Sequence, residues 1–445
     1  MDLLKSAYFN RLLKKRPAQF ILQLPFVILF FVMIAAGLFG NQFPDRNIAA
    51  IVTWTVWWGG VIFTFLIFGR LWCAVCPWAA VAEWLQKLSF WRVNRAPLTL
   101  GNKWPVRLRN LYLMAGAFVL ITWAEFAFDM VLSPRNTAYL AVVTLFAAII
   151  VSVLYERRTF CRYICPIGGM IGTYSTCSTM TVSARDKGIC RGCHTKDCIH
   201  GNEKGYGCPV YEYPEGMDTA SYCTLCTECM KTCPHDNISL NTRPVAAELM
   251  VPRERPLDEA FMAVLTAGIA LFHGLTMIPV WFRWQEFFYY GEGIPPVVAA
   301  TVALIIFLIA VLLFYRLFSL MAGEGSFSRQ AFALVPLALF FHLGHNCLHL
   351  FGESGKAITV MSDPFGWGWN LFGTAGMRIG PLFPIPTINL IQWLFVASGC
   401  IISLVVVWKR GNGLREKGVM ALAVLALTAV YVWMLNQPMV MRIGM

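Results

Sequence analysis

The sequence predicts an α-helical polytopic membrane protein of about nine transmembrane helices, amino terminus in and carboxyl terminus out, interrupted by one cysteine-rich insertion. Three observations predict it: an apolar composition, a one-sided distribution of basic residues, and closely spaced cysteines confined to a polar stretch. Of the 445 residues, 58% are hydrophobic and 13% charged, against about 25% charged in soluble domains. Mean hydropathy is +0.60. Most of the chain is therefore suited to lipid.

Taken in order, apolar stretches long enough to cross ~30 Å of hydrocarbon as helices run over residues 20–40, 49–68, 111–132, 136–155, 260–281, 294–314, 331–351, 387–408 and 419–435. The first is too long for a signal-peptide core and is read as a retained anchor. Lys5, Arg11, Lys14, Lys15 and Arg16 precede it, which sets the amino terminus in the cytoplasm by the positive-inside rule. Threading the spans from there leaves only Arg46, Arg135, Arg283, Lys356, Arg378 and Arg442 outside, six of the 36 Lys and Arg residues. The formal charge of +12 is explained by basic loops facing an anionic leaflet and needs no nucleic acid. This topology predicts a bacterial inner (cytoplasmic) membrane protein. Its parts are a four-helix membrane domain over 1–160, a cytoplasmic segment over 161–256, and a five-helix membrane domain over 257–445.

The inserted segment carries the chemistry. Cys223, Cys226, Cys229 and Cys233-Pro234 follow the spacing C-x2-C-x2-C-x3-C-P, the run that bacterial ferredoxins use for cubane clusters and whose last cysteine serves the neighbouring cluster. A second quartet lies upstream at Cys190, Cys193, Cys198 and Cys208-Pro209, with residues 199–207 inserted before its last member. Crossed ligation assigns one 4Fe–4S cluster to Cys190, Cys193, Cys198 and Cys233, and the other to Cys223, Cys226, Cys229 and Cys208. The insertion is thus a cytoplasmic bacterial-type double-cubane ferredoxin domain. A pair of zinc ribbons is the alternative, since C-x2-C pairs also suit tetrahedral zinc. Fifteen cysteines in a reducing compartment favour metal ligation over disulfides. His194, His200 and His235 lie within the segment and are expected near cluster sulfurs, tuning potential.

Two further cysteine pairs repeat a pattern at the ends of the first two helical hairpins: Arg70, then Cys73 and Cys76-Pro77; Arg158, then Cys161 and Cys165-Pro166. Proline suits a first helical turn, and a cysteine just before it is expected to have a lowered pKa at the positive end of the helix dipole. Residues 78–91 read as an interfacial helix, with Trp84, Leu85, Leu88 and Trp91 on one side and Glu83, Gln86 and Lys87 elsewhere. Three readings stay open for these four thiols: a redox dithiol system, a metal or further cluster, or packing.

Residues 1–255, with hairpins ending in C-x(2 or 3)-C-P motifs followed by a double-cubane segment, resemble the membrane polyferredoxins of the NapH, NosR and FixG (CcoG) type. The resemblance implies electron transfer between quinone or a cytoplasmic donor and a periplasmic or metal acceptor. It marks Cys73, Cys76, Cys161 and Cys165 as motif cysteines and the eight downstream cysteines as cluster ligands. The chain lacks the large amino-terminal flavin-binding domain of NosR, and it ends in membrane helices where FixG has a soluble β-rich domain.

Beyond residue 257, polar groups within the spans are the place to look. His342, His345 and His349 share one helix, and His273 on the fifth span matches His342 in depth. They are expected to bind a b-type haem, to line a quinone pocket, or to hydrogen-bond carbonyls and Asn346 between helices. Glu125 and Asp129 form an i, i+4 pair, suited either to passing protons or to simple solvation. The outer segment 352–386 is rich in aromatics, Gly and Pro, as a docking loop or a headgroup-layer loop would be. Cys177, Cys347 and Cys400 lack ligand spacing and read as packed thiols.

No pattern suggests acid–base or nucleophilic chemistry on an organic substrate. The expected function is that of an electron-transfer subunit of a membrane oxidoreductase, such as a quinol dehydrogenase, relaying electrons between the quinone pool and a periplasmic or membrane redox protein. The alternatives are a cupric reductase or oxidase-assembly factor, and a membrane redox sensor.

Overall fold

A computed structural model describes residues 2–15, 17–88, 93 and 97–439. Arg16, Trp91 and Arg442, used above, lie outside them. Among the described residues, eight helices are long and apolar enough to cross a membrane: Pro17–Phe39, Ile48–Phe68, Pro134–Leu154, Leu257–Leu275, Pro296–Ala322, Ser326–Glu353, Ile385–Arg410 and Leu414–Leu435. The stretch expected over 111–132 is the shorter helix Tyr112–Ala127. Its 16 residues rise about 24 Å, less than a full hydrocarbon thickness. It stops early because Asp129 sits in a left-handed turn (φ 44°) just before Pro134 opens the next helix. The span expected over 260–281 also divides, ending at Leu275 before a separate helix Pro279–Glu286, as proline at a first turn dictates. Ile51–Trp57 adopts π geometry inside its span, a form that clusters at functional sites.

Packing cuts across the expected division at residues 160 and 256. One unit comprises Met1–Phe31, Thr64–Met114 and Val142–Glu248; the other comprises Val32–Phe63, Ala115–Ala141 and Leu249–Met445.

In the first unit, β1 (Met180–Ala184) and β2 (Ile238–Thr242) pair antiparallel, with Val182 opposite Leu240. Their apolar faces join Leu4 and Met230 in a small core against which Cys223, Cys229 and Cys233 pack. A core this small matches a domain that relies on its metal groups for stability. The helix after Pro77 spans Pro77–Lys87 and is two-faced. Glu83 and Gln86 are buried while Leu85 and Leu88 are exposed. The polar face turns inward because Glu83 meets Arg158 Nη2 and Lys87 Nζ, each at 2.8 Å, and Gln86 donates to the Ser152 carbonyl. The leucines are left for lipid. Burial alone would raise the Glu83 carboxyl, but Lys87 and Arg158 hold it well below the usual range.

In the second unit, Leu334–Glu353 is the central helix, buried along its length. It packs against Ile385–Arg410 and Leu257–Leu275, and Gly399 lets its neighbour approach, since a Cβ there would meet Phe340 and Leu337. The long segment 352–386 includes a short helix, Lys356–Ser362. The Asp363 carboxylate then accepts from Trp367 and Gly368 N–H, while the Pro364 and Phe365 carbonyls accept from Ile48 and Asn41 N–H.

Arg158 is 2% exposed at its side chain. Glu83→Ala removes its carboxylate and leaves the guanidinium buried, which is expected to cost about 3–5 kcal/mol. Thermal unfolding of the detergent-solubilised variant measures this, and an unchanged midpoint would contradict it.

Candidate iron–sulfur centres

Cys190, Cys193, Cys198 and Cys233 line one cavity, together with Tyr213, Pro234, His235 and Asn237. Cys190 lies in the helix Lys187–Arg191, capped by the Asp186 carboxylate accepting from Gly188 N–H at 2.6 Å. Asn237 aims two donors at the sulfurs: its side-chain amide at Cys190 Sγ (3.2 Å) and its backbone N–H at Cys233 Sγ (3.3 Å). The Asp186 carbonyl holds the Asn237 amide in turn, and Tyr213 donates to the Cys190 carbonyl. Of the three segment histidines only His235 reaches this wall; His194 and His200 are exposed. The hydrogen bonds to these sulfurs that the sequence led one to expect from histidine come from Asn237.

Cys208, Cys223, Cys226 and Cys229 line a second cavity with Val182, Met217 and Met230. The tight spacing is achieved by backbone: Leu225 (φ 53°) and Thr227 (φ 64°) are both left-handed, an uncommon state for such residues that tends to persist where function demands it. The turn directs the Leu225 N–H at Cys223 and the Glu228 N–H at Cys226. Glu212 N–H donates to Cys208 Sγ at 3.3 Å.

The insertion 199–207 explains itself. Asn202 and Gly205 bridge as a tight hairpin, the Asn202 amide ties the loop to Asp197 Oδ2 and to the Thr232 carbonyl, and Cys208 N–H returns to the Cys198 carbonyl at 2.8 Å. Cys198 and Cys208 are thus backbone neighbours that face different cavities.

The donor sets fit cubanes. Burial pushes the Cys198 thiol up to about 11 and those of Cys208 and Cys223 to about 12, and neighbouring thiols add to each shift. Four such thiols ionise together only around a cationic core.

The two membrane-edge motifs fold alike. Cys73 and Cys161 sit in the short helices Leu71–Val75 and Thr159–Tyr163. Cys76 and Cys165 are the N-caps of Pro77–Lys87 and Pro166–Ser175, each with proline in the first turn. All four thiols lie within electrostatic reach of one another. Contrary to expectation, Cys76 is not acidified. Burial pushes it up to about 12, with Cys161 and Cys73 adding, although Ala79 and Trp78 N–H donate to its sulfur. Desolvation of the thiolate outweighs the helix dipole. Cys177 and Cys347 are buried singly, and Cys400 is half-buried.

The second unit gathers the histidines. His273 Nε2 lies 3.6 Å from Glu125 Oε2, and its ring lies 5.7 Å from that of His342. Trp58, the residue just after the π turn, and Phe126 flank it. His345 and His349 rings are 5.3 Å apart, and His349 Nδ1 meets Glu353 Oε2 at 2.9 Å. The Asn346 amide bonds the His342 carbonyl of its own helix, not a second helix. Asp129 is exposed, whereas Glu125 is buried and faces His273. Glu353 was missed, although its i+4 spacing from His349 was available.

Crossed ligation makes a pairwise forecast. Cys233→Ser is expected to abolish the same cluster EPR signal as Cys190→Ser, and Cys208→Ser the same signal as Cys223→Ser. Gly207→Ala, at φ +72° with a Cβ driven against the Ile199 carbonyl, is expected to displace Cys208 and lose the second signal alone. Signals that pair by sequence order would refute this assignment.

A family model described as a 4Fe-4S binding domain matches residues 50–97 and 137–176. These stretches hold Cys73, Cys76, Cys161 and Cys165 and none of the eight downstream cysteines. The chain is 24% identical over 203 residues to the ferredoxin-type protein NapH of Escherichia coli, covering 42% of this chain and 67% of that protein. It is 28% identical over 142 residues to the methylamine utilization ferredoxin-type protein MauN of Paracoccus denitrificans, covering 30% of this chain and 48% of that protein. An uncharacterised protein of Methanocaldococcus jannaschii is 24% identical over 201 residues, 44% of this chain and 73% of its own. The chain thus spans about half the length of MauN. No solved structure matches it. Taken with the paired cysteine quartets and the apolar helices, these likenesses support a membrane polyferredoxin of the NapH type.

Proposed function

We propose that this chain relays single electrons between membrane quinol and a redox partner protein from the bacterial inner membrane, with its cysteine-rich segment on the cytoplasmic side. The observation that carries this reading is the pair of cavities, each lined by one crossed quartet: Cys190, Cys193, Cys198 and Cys233 in one, Cys208, Cys223, Cys226 and Cys229 in the other. When bound, a 4Fe–4S cluster in each supplies a one-electron couple. The chain's part is to hold each group by four sulfurs and to direct N–H donors from Asn237, Glu212, Leu225 and Glu228 at those sulfurs. Such donors stabilise the more negative, reduced form and raise the potential.

Oxidation of quinol releases two electrons and two protons, so a quinol site needs a proton acceptor. His273 Nε2 beside Glu125 Oε2 offers one, buried among Trp58 and Phe126. The carboxylates at His273 Nε2 and His349 Nδ1 give each imidazole a partner with which to exchange a proton.

In membranes reduced anaerobically, a soluble quinone analogue is expected to reoxidise the clusters. His273→Leu is expected to slow that step about 10²-fold, the usual scale for loss of a general acid–base, with iron content unchanged. Cluster signals indifferent to quinone would remove the reading.

A further inference from the structure

We infer that the quinol protons leave through a file of buried titratable side chains, His273, His342, His345, His349 and Glu353, which carries them along one helix to the end of the bundle at Glu353. The inference rests on the quinol reading above and adds where the protons go. Spacing is its first support. His342, His345, His349 and Glu353 follow one another at intervals of three, four and four residues on the helix Leu334–Glu353, which sets them on one face over about 16 Å of rise. None of the four is more than 4% exposed. Ionisable side chains are costly inside a membrane, and a chain of them marks a proton route.

Contact along the file is the second support. Glu125 Oε2 lies 3.6 Å from His273 Nε2, and the His273 ring lies 5.7 Å from that of His342. His342 and His345 are neighbours on consecutive turns. The His345 and His349 rings are 5.3 Å apart, and His349 Nδ1 reaches Glu353 Oε2 at 2.9 Å. Imidazole suits such a chain because one ring nitrogen takes a proton while the other gives one up. Stacking holds the middle of the file still, since Tyr431 lies 4.0 Å from the Phe341 ring and Phe341 lies 6.1 Å from His345. Two amides add polarity. Among the described residues, Asn346 Oδ1 and Gln392 Nε2 are buried without a hydrogen-bond partner, and the Gln392 backbone passes beside Gly344. They leave one acceptor and one donor beside the file to stabilise a passing charge.

Direction is the third. Before His342 the same face continues as Ala338, Val335 and Leu334, all buried and apolar. That end of the helix lies with the start of Leu257–Leu275, since the Arg255 guanidinium sits 4.3 Å over the Phe332 ring. At Glu353 the helix stops, and Ser354 and Lys356, both half-buried, lead the chain to the surface. The file is therefore closed at one end and open at the other. On the topology set by the basic residues, the open end is the outer one. Each quinol gives up two electrons, one to each of the two one-electron couples, and two protons. Both O–H bonds break at the Glu125–His273 pair in turn, both protons leave at Glu353, and the chain itself ends unchanged.

The test is reoxidation of the anaerobically reduced whole chain by a soluble quinone analogue in liposomes, with a membrane-impermeant pH dye on one side. Trypsin cleavage after the exposed Arg378 reports which way the chain faces. Run in this direction, the reaction draws in two protons per quinone reduced, by the same file. They are expected to vanish from the side on which Arg378 is cut. Glu353→Gln keeps an acceptor for His349 Nδ1 but carries no proton; it is expected to slow reoxidation and proton uptake together, about 10²-fold, with iron content and thermal midpoint unchanged. His349→Gly is expected to be slow and to regain most of its rate when imidazole is added, a rescue that a packing role would not give. An unslowed Glu353→Gln, a His349→Gly that imidazole leaves slow, or protons drawn from the other side would each overturn the inference while the quinol reading stands. Clusters indifferent to quinone in the unaltered chain would overturn both.

Discussion

The constraint on which this molecule turns is the burial of anionic sulfur. A thiolate taken out of water loses its hydration, and here desolvation is the leading cause of the upward shifts at Cys76, Cys161, Cys208 and Cys223. The chain answers with fixed dipoles and fixed charge: left-handed turns that point peptide N–H groups inward, an asparagine with two donors on two sulfurs, and buried arginines. The sequence around each cysteine is best understood as a means of holding those donors still.

This constraint also explains what could be read in advance. That four cysteines line each of two cavities was legible because ligand spacing is local and the proline after Cys208 and Cys233 marks where each chain run turns away. The insertion at 199–207 obscured Cys198 and Cys208 in the sequence, but it closes on itself through Asn202 and leaves both thiols where the spacing rule needs them. Partners distant in sequence were not legible. Arg158 finds Glu83 across 75 positions, and His273 finds Glu125 from another helix; no periodicity announces either meeting. The acidity expected of Cys76 failed for a related reason. A helix dipole is a property of ten residues, whereas burial is decided by the whole unit.

For the membrane part, composition located every apolar stretch, and the departures were at the ends. Asp129 and Pro279 cut two helices short, while Pro296–Ala322 and Ile385–Arg410 outrun their apolar cores. Hydropathy registers where lipid can be tolerated, and caps register where the backbone stops. The helix Pro77–Lys87 is two-faced as its pattern suggests; what the pattern did not show is that Glu83 and Gln86 find buried partners that compensate their polarity.

The central helix Leu334–Glu353 has a consequence for how the protein is made. It carries three histidines, an asparagine and a glutamate, and is sheathed by protein along nearly all its length. Such a segment gains little from lipid on its own during synthesis. Its stable residence waits on the later hairpin 385–435, so the ribosome must deliver most of the chain before the middle of the bundle can be sealed.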